Sequence, residues 1–108
     1  MSSSDTLARL EATIAQRLNA DPDSSYVARL NAKGVGKIAQ KLGEEATETV
    51  IAALTESRQA LVGEAADLIF HLMVLLAAKD VPLAEVMAEL DRREGTSGIA
   101  EKAARPKD

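Results

Sequence analysis

Two pairs of acids at helical spacing constrain this chain more than any other feature. The first pair lies in Glu44-Glu45-Ala46-Thr47-Glu48 and the second in Glu64-Ala65-Ala66-Asp67, each within a largely apolar segment rich in helix formers. At ~100° per residue, Glu45 and Glu48 share one helix face, and so do Glu64 and Asp67. The connector near Glu56 to Gln59 is short enough to fold the two helices back as an antiparallel hairpin. Four carboxylates then face one another. Two such groups ~6 Å apart repel by roughly 3 kcal/mol at an effective dielectric of ~20, so the cluster must take up protons, swing apart or bind a cation. Oxygen-only ligands select Mg2+ or Mn2+ over Zn2+. The competing reading of each acid is solvated helix surface, and spacing alone leaves both open.

The remaining composition narrows the function classes. A length of 108 residues suits one domain, 1–108, with 1–5 and 105–108 expected to be flexible. Apolar residues are 46% of the chain, enough for a core of Ala, Leu, Val and Ile. Tyr26 and Phe70 are the only aromatics, too few for a single-strand stacking platform, and a net charge of −4 argues against a general nucleic-acid surface. Without cysteine there is no disulfide framework or thiolate metal site, which fits a reducing cytoplasm. Met1 to Asp5 lacks the basic region and apolar core of a secretory signal. The longest apolar run, Leu68 to Ala78, contains His71 and falls short of the about 20 residues a membrane span needs. The expectation is a soluble protein with neither nucleic acid nor membrane as partner.

The pattern is all-α, with about five helices. Leu7, Leu10, Ile14 and Leu18 mark an amphipathic helix over 6–18, N-capped by Asp5 or Thr6, and Asn19 to Asp23 stops it. Ser24 or Ser25 caps a short helix, Tyr26 to Ala32, followed by a loop over 33–36. The third helix runs over 35–57 with Ile38, Leu42, Val50, Ile51 and Leu54 as its buried stripe. The fourth runs over 58–79, apolar nearly all round in its second half. Pro82 starts a fifth helix over 83–94 with Val86, Met87 and Leu90 on one side; Gly95 to Gly98 ends it, and a polar tail follows. So short a chain has little else to wrap two helices of ~30 Å. Two hairpins therefore pair in a homodimer with a four-helix-bundle core.

Bases precede the first acids. Arg29, Lys33, Lys37 and Lys41 recur every four residues. Ordinary i,i+4 pairing, such as Lys41 with Glu45, is one reading. A cationic row that holds polyphosphate oxygens left free by a metal is the other. Gly34 and Gly36 permit close approach but lack the strand and further pattern of a Rossmann or Walker loop. His71 reads either as a hydrogen-bonded core residue or as a second-shell partner of Asp67, four residues earlier.

Glu45-x-x-Glu48 followed by Glu64-x-x-Asp67 resembles the E-x-x-E and E-x-x-D signature of the all-α, MazG-like nucleoside-triphosphate pyrophosphatases. The blocks over 25–30, 36–48, 63–72 and 92–98 closely resemble the phosphoribosyl-ATP pyrophosphohydrolases of histidine biosynthesis, and the likeness runs from about Leu7 to Ala104. The resemblance implies Mg2+-dependent hydrolysis of phosphoribosyl-ATP to phosphoribosyl-AMP and pyrophosphate. It makes Glu45, Glu48, Glu64 and Asp67 the expected ligands. Glu44, Glu45 and Glu48 become the expected catalytic acids, with Glu44 either a further ligand or the group that orients the attacking water. Lys37 and Lys41 would face the leaving pyrophosphate, and Lys33 and Arg29 a phosphate or the ribose 5-phosphate. With no room for a cyclohydrolase, the chain is expected to be the stand-alone form. Two other readings stay open: a MazG-like house-cleaning pyrophosphatase for a non-standard nucleoside triphosphate, and a non-enzymatic helical dimerisation module.

Overall fold

Side-chain caps and one glycine set the helix boundaries. The structure is a computed structural model that describes residues 3–95 and 97–106. Among them are six helices and no strand: α1 (Ser3–Arg17), α2 (Tyr26–Ala32), α3 (Val35–Thr55), α4 (Arg58–Ala78), α5 (Leu83–Arg93) and α6 (Gly98–Ala104). The Ser25 hydroxyl accepts from Ala28 N–H at 3.2 Å to start α2, and Ser57 accepts from Ala60 N–H at 3.1 Å to start α4. Gly34 turns the chain between α2 and α3 with φ 98°, a left-handed conformation that favours glycine. The expected loop over 33–36 therefore shrinks to Lys33 and Gly34, and Gly36 lies inside α3.

The connector between α3 and α4 is also shorter than expected. Only Glu56 and Ser57 separate the helices, each 21 residues long, and the pair packs antiparallel in the most extensive helix contact of the fold. At one end of this hairpin, Ile14 of α1, Val27 and Leu30 of α2, Ile38 of α3 and Met73 and Val74 of α4 form the core, with Leu7, Leu10, Leu18 and Phe70 packed around it. Because α1 and α2 cover only one side, the expected buried stripe of α3 is corrected. Ile38 is buried and Leu42 half-buried, but Val50, Ile51 and Leu54 are exposed, and the buried residues are Ile38, Glu45 and Ala52 at every seventh position. Similarly, α4 buries His71, Met73 and Val74 while Ile69 and Leu72 remain exposed, so it is not enclosed all round. Its length and composition alone would suit a membrane crossing; core helices share that composition, and Glu64, Asp67 and His71 fall within it.

Two further expectations change at the ends. Helix α1 is already running at Asp5 and Thr6, so neither caps it. The polar tail contains α6, started by Ser97, whose hydroxyl accepts from Ala100 N–H at 3.1 Å. Residues 3–5 are helical rather than loose, whereas 1–2, 96 and 107–108 lie outside the described residues. Helix α5 begins at Pro82, which offers no capping side chain. Glu11 of α1 takes that role from 72 residues away, its Oε2 accepting from Leu83 N–H at 2.7 Å. A carboxylate there also suits the positive end of the helix. Glu11→Ala should cost about 1 kcal/mol, on the scale of a lost N-cap. A thermal melt followed by circular dichroism should then show Tm falling by ~4–8 °C.

Candidate metal centre

The antiparallel register of α3 and α4 brings Glu64 opposite Glu45 and Glu48, which share one face of α3. Each of the three acids places a carboxylate oxygen within 4.8 Å of the others. Thr49 ties the helices together at this level. Its Oγ1 lies 2.8 Å from the Glu45 carbonyl oxygen and 3.2 Å from that of Glu64, donating its proton between them. Sequence reasoning missed Thr49; its signal was a β-branched hydroxyl beside Glu48, able to bond back to the carbonyl four residues earlier.

Burial sharpens the charge problem. Glu45 is only 8% exposed, and its Oε2 has no hydrogen-bond partner among the described residues. Burial, reinforced by contact with Glu48 and by the charges of Glu48 and Asp67, pushes the Glu45 carboxyl above its ordinary range, while His71 opposes the shift. Glu64 is pushed up mainly by its contact with Glu48, then by desolvation and the charges of Glu48, Glu45 and Asp67. A divalent ion fits this set. At a Mg–O distance of ~2.1 Å, oxygens on one ion sit ~3–4 Å apart, within small side-chain adjustments of the cluster. The unpaired Glu45 oxygen would gain the partner that buried carboxylates normally have.

Three of the four expected ligand acids converge. Asp67 is exposed and outside the converging trio, acting on Glu45 and Glu64 through its charge. Glu44 also stands apart, held by Gln40 Nε2 at 2.8 Å and Lys41 Nζ at 3.4 Å, and these donors lower its pKa. Lys41 thus pairs with Glu44 rather than Glu45. His71 does not bond the Asp67 carboxylate. Its Nδ1 lies 2.7 Å from the Asp67 main-chain carbonyl oxygen, and its Nε2 lies 2.8 Å from the Tyr26 hydroxyl.

This chain matches the family described as phosphoribosyl-ATP pyrophosphohydrolase over residues 7–94. It belongs to that family. The phosphoribosyl-ATP pyrophosphatase of Novosphingobium aromaticivorans is 75% identical over 105 residues, covering 97% of this chain and 98% of the relative. That of Erythrobacter litoralis is 75% identical over 100 residues (93% and 96%), and that of Dinoroseobacter shibae 64% identical over 99 (92% and 97%).

The bases of this pyrophosphohydrolase-family chain divide between two places. Lys41 joins Glu44, and the charge of Lys37 also reaches Glu44. Arg29 donates through Nε to the Pro22 carbonyl at 3.1 Å, and Lys33 closes the end of α2. Beside the trio, Glu48, Ile51, Glu56 and Glu64 line an open pocket of about 350 Å³. Glu56 is another acid that sequence reasoning missed, because its position in the helix connector gave no helical spacing to read.

The raised carboxyls predict a pH dependence with a definite sign. Between the unfolded carboxylate range and the raised folded values, the folded chain holds more protons than the unfolded one, so metal-free stability falls as pH rises through that window. With a chelator present, Glu45→Gln should gain Tm relative to the parent as pH rises above the ordinary carboxylate range. Excess Mg2+ should restore the parent and leave the variant unchanged. Parallel melting curves across pH would check both.

Proposed function

We propose that this chain hydrolyses phosphoribosyl-ATP to phosphoribosyl-AMP and pyrophosphate in the second step of histidine biosynthesis. One observation carries the site assignment: a buried Glu45 carboxylate with an oxygen that has no partner among the described residues, crowded by Glu48 on its own helix and Glu64 on the neighbouring one. Glu45, Glu48 and Glu64 would hold Mg2+, with Mn2+ as a substitute, and Asp67 would supply charge at the margin. Such an ion would supply positive charge for the triphosphate and a lowered pKa for the attacking water.

The chain's own groups do the rest. Water attack breaks the phosphoanhydride between the α and β phosphorus atoms, and the bridging oxygen leaves with pyrophosphate. Lys41 and Lys37 meet that leaving group. Of the two roles open to Glu44, its bonds to Gln40 and Lys41 favour the one outside the ligand set, where it keeps Lys41 in position and orients the attacking water. Lys33 and Arg29 face a phosphate or the ribose 5-phosphate.

The protein acts in the cytoplasm as a homodimer. A second copy laid on Val50, Ile51, Leu54, Val62, Ile69 and Leu72, all exposed, would complete a four-helix bundle. Sedimentation as a monomer at micromolar concentration would remove that part of the reading.

Turnover separates the substrate readings. Phosphoribosyl-ATP should be preferred over a panel of standard and modified nucleoside triphosphates; preference for any panel member would point to the house-cleaning reading instead. Outer-shell substitutions cost ~10–100-fold, so replacing a ligand should cost more. Glu48→Gln should lose more than about 100-fold in kcat/KM, and Asp67→Asn, outside the trio, roughly 10–100-fold. Both should keep the helical fold. Near-normal turnover in Glu48→Gln would refute the site.

A further inference from the structure

The chain has two aromatic residues and one histidine, and the fold gathers all three together, with Tyr26 and His71 within electrostatic reach of Glu45. The rings of Tyr26 and His71 meet edge to face at 5.7 Å, those of Phe70 and His71 at 5.3 Å, and those of Tyr26 and Phe70 lie 6.2 Å apart. His71 is buried, whereas Tyr26 is 45% exposed. The phenol also lies within electrostatic reach of Lys41, Glu45, Asp67 and Glu44.

The direction of the first hydrogen bond follows from its acceptor, and that of the second from a neutral ring. A main-chain carbonyl only accepts, so the 2.7 Å contact with the Asp67 carbonyl oxygen requires the proton on His71 Nδ1. With the ring neutral, Nε2 can then only accept. The 2.8 Å contact is therefore a donation from the Tyr26 hydroxyl. A phenol carries one proton, and here it is spent on His71. What the Tyr26 oxygen has left is lone pairs alone.

We propose that the Tyr26 phenolic oxygen is an acceptor-only contact for a ribose hydroxyl of the nucleotide, and so a specificity-determining residue. This rests on the reading of the trio as the triphosphate's anchor. With the phosphates held there, the part of a nucleotide next to them is the sugar, and its hydroxyls are the nearest donors. An acceptor that cannot rotate a proton outward favours a hydroxyl-bearing sugar over its deoxy analogue, because the analogue leaves the oxygen unpaired.

Two measurements test this. The first needs no substrate: nitrogen-15 NMR of the full chain, with and without Mg2+, should find His71 as the neutral Nδ1–H tautomer. A neutral Nε2–H ring, or a doubly protonated one at pH 8, would overturn the proposal. The second compares kcat/KM for phosphoribosyl-ATP with its 2′-deoxy and 3′-deoxy analogues at the ATP ribose. The parent should prefer the intact sugar by ~3–10-fold, the range for one neutral hydrogen bond, against one of the two analogues. Tyr26→Phe should lose that preference, through KM more than kcat, while its Mg2+ affinity stays that of the parent. An unchanged preference in Tyr26→Phe, or none in the parent, would overturn the contact. If the parent hydrolyses no phosphoribosyl-ATP at all, the substrate reading falls separately, and the tautomer still decides which way the Tyr26 proton points.

Discussion

Like charge packed where water is scarce is the constraint on which the rest of this structure depends. Three carboxylates with oxygens within 4.8 Å of one another repel whenever more than one is ionised. Solvent relieves part of this at Glu48 and Glu64, but Glu45 is buried and one of its oxygens has no partner among the described residues. Three outcomes are open to such a cluster: proton uptake, separation of the helices, or a cation. Separation is resisted from both sides. The two-residue connector fixes the register of α3 against α4, and the shared Thr49 proton joins their backbones at the level of the acids. The strain is thus retained in the fold, as destabilised sites often retain it in exchange for binding.

What holds the helices against that repulsion lies at one end of the hairpin. Ile14, Ile38 and Val74 are fully buried where α1 and α2 close over α3 and α4. Helix α2 is short, yet it reaches the site directly. Ser25 starts it, and Tyr26, the next residue, hydrogen-bonds His71 on α4. At the other end, the apolar residues of α3 and α4 face outward, Leu54 at 78% exposure among them. A monomer with this surface is incomplete on hydrophobic grounds, which ties the proposed dimer to the same hairpin that carries the acids.

Much of this was legible in the residues. Ser25, Ser57 and Gly34 announce helix boundaries through chemistry that acts over a few residues, and the i,i+3 spacing of Glu45 and Glu48 fixes a shared face whatever surrounds it. Asp67 shows where such reasoning stops. Spacing places it on the face of Glu64, but which of the two meets α3 depends on the helix crossing, a property of the packed pair. The pairing of Lys41 with Glu44 rather than Glu45 is a choice between neighbouring rotamers that sequence leaves open. Glu11 capping α5 joins residues 72 apart and has no local signal. Periodicity located the apolar stripe of α3 but could not say what covers it: Ile38 is buried within the chain, while Val50 and Leu54 are not. Ser97 was a readable start for α6 that the polar character of the tail obscured.

In the proposed site Glu45, Glu48 and Glu64 together hold a divalent ion. Loss of the free Mn2+ electron paramagnetic resonance signal on adding protein measures this directly, without substrate or turnover. The parent and Glu44→Gln should remove free Mn2+ equally, with Mg2+ competing, while Glu45→Gln, Glu48→Gln and Glu64→Gln should each remove far less. Equal binding by all of these proteins, or none by the parent, would contradict the account.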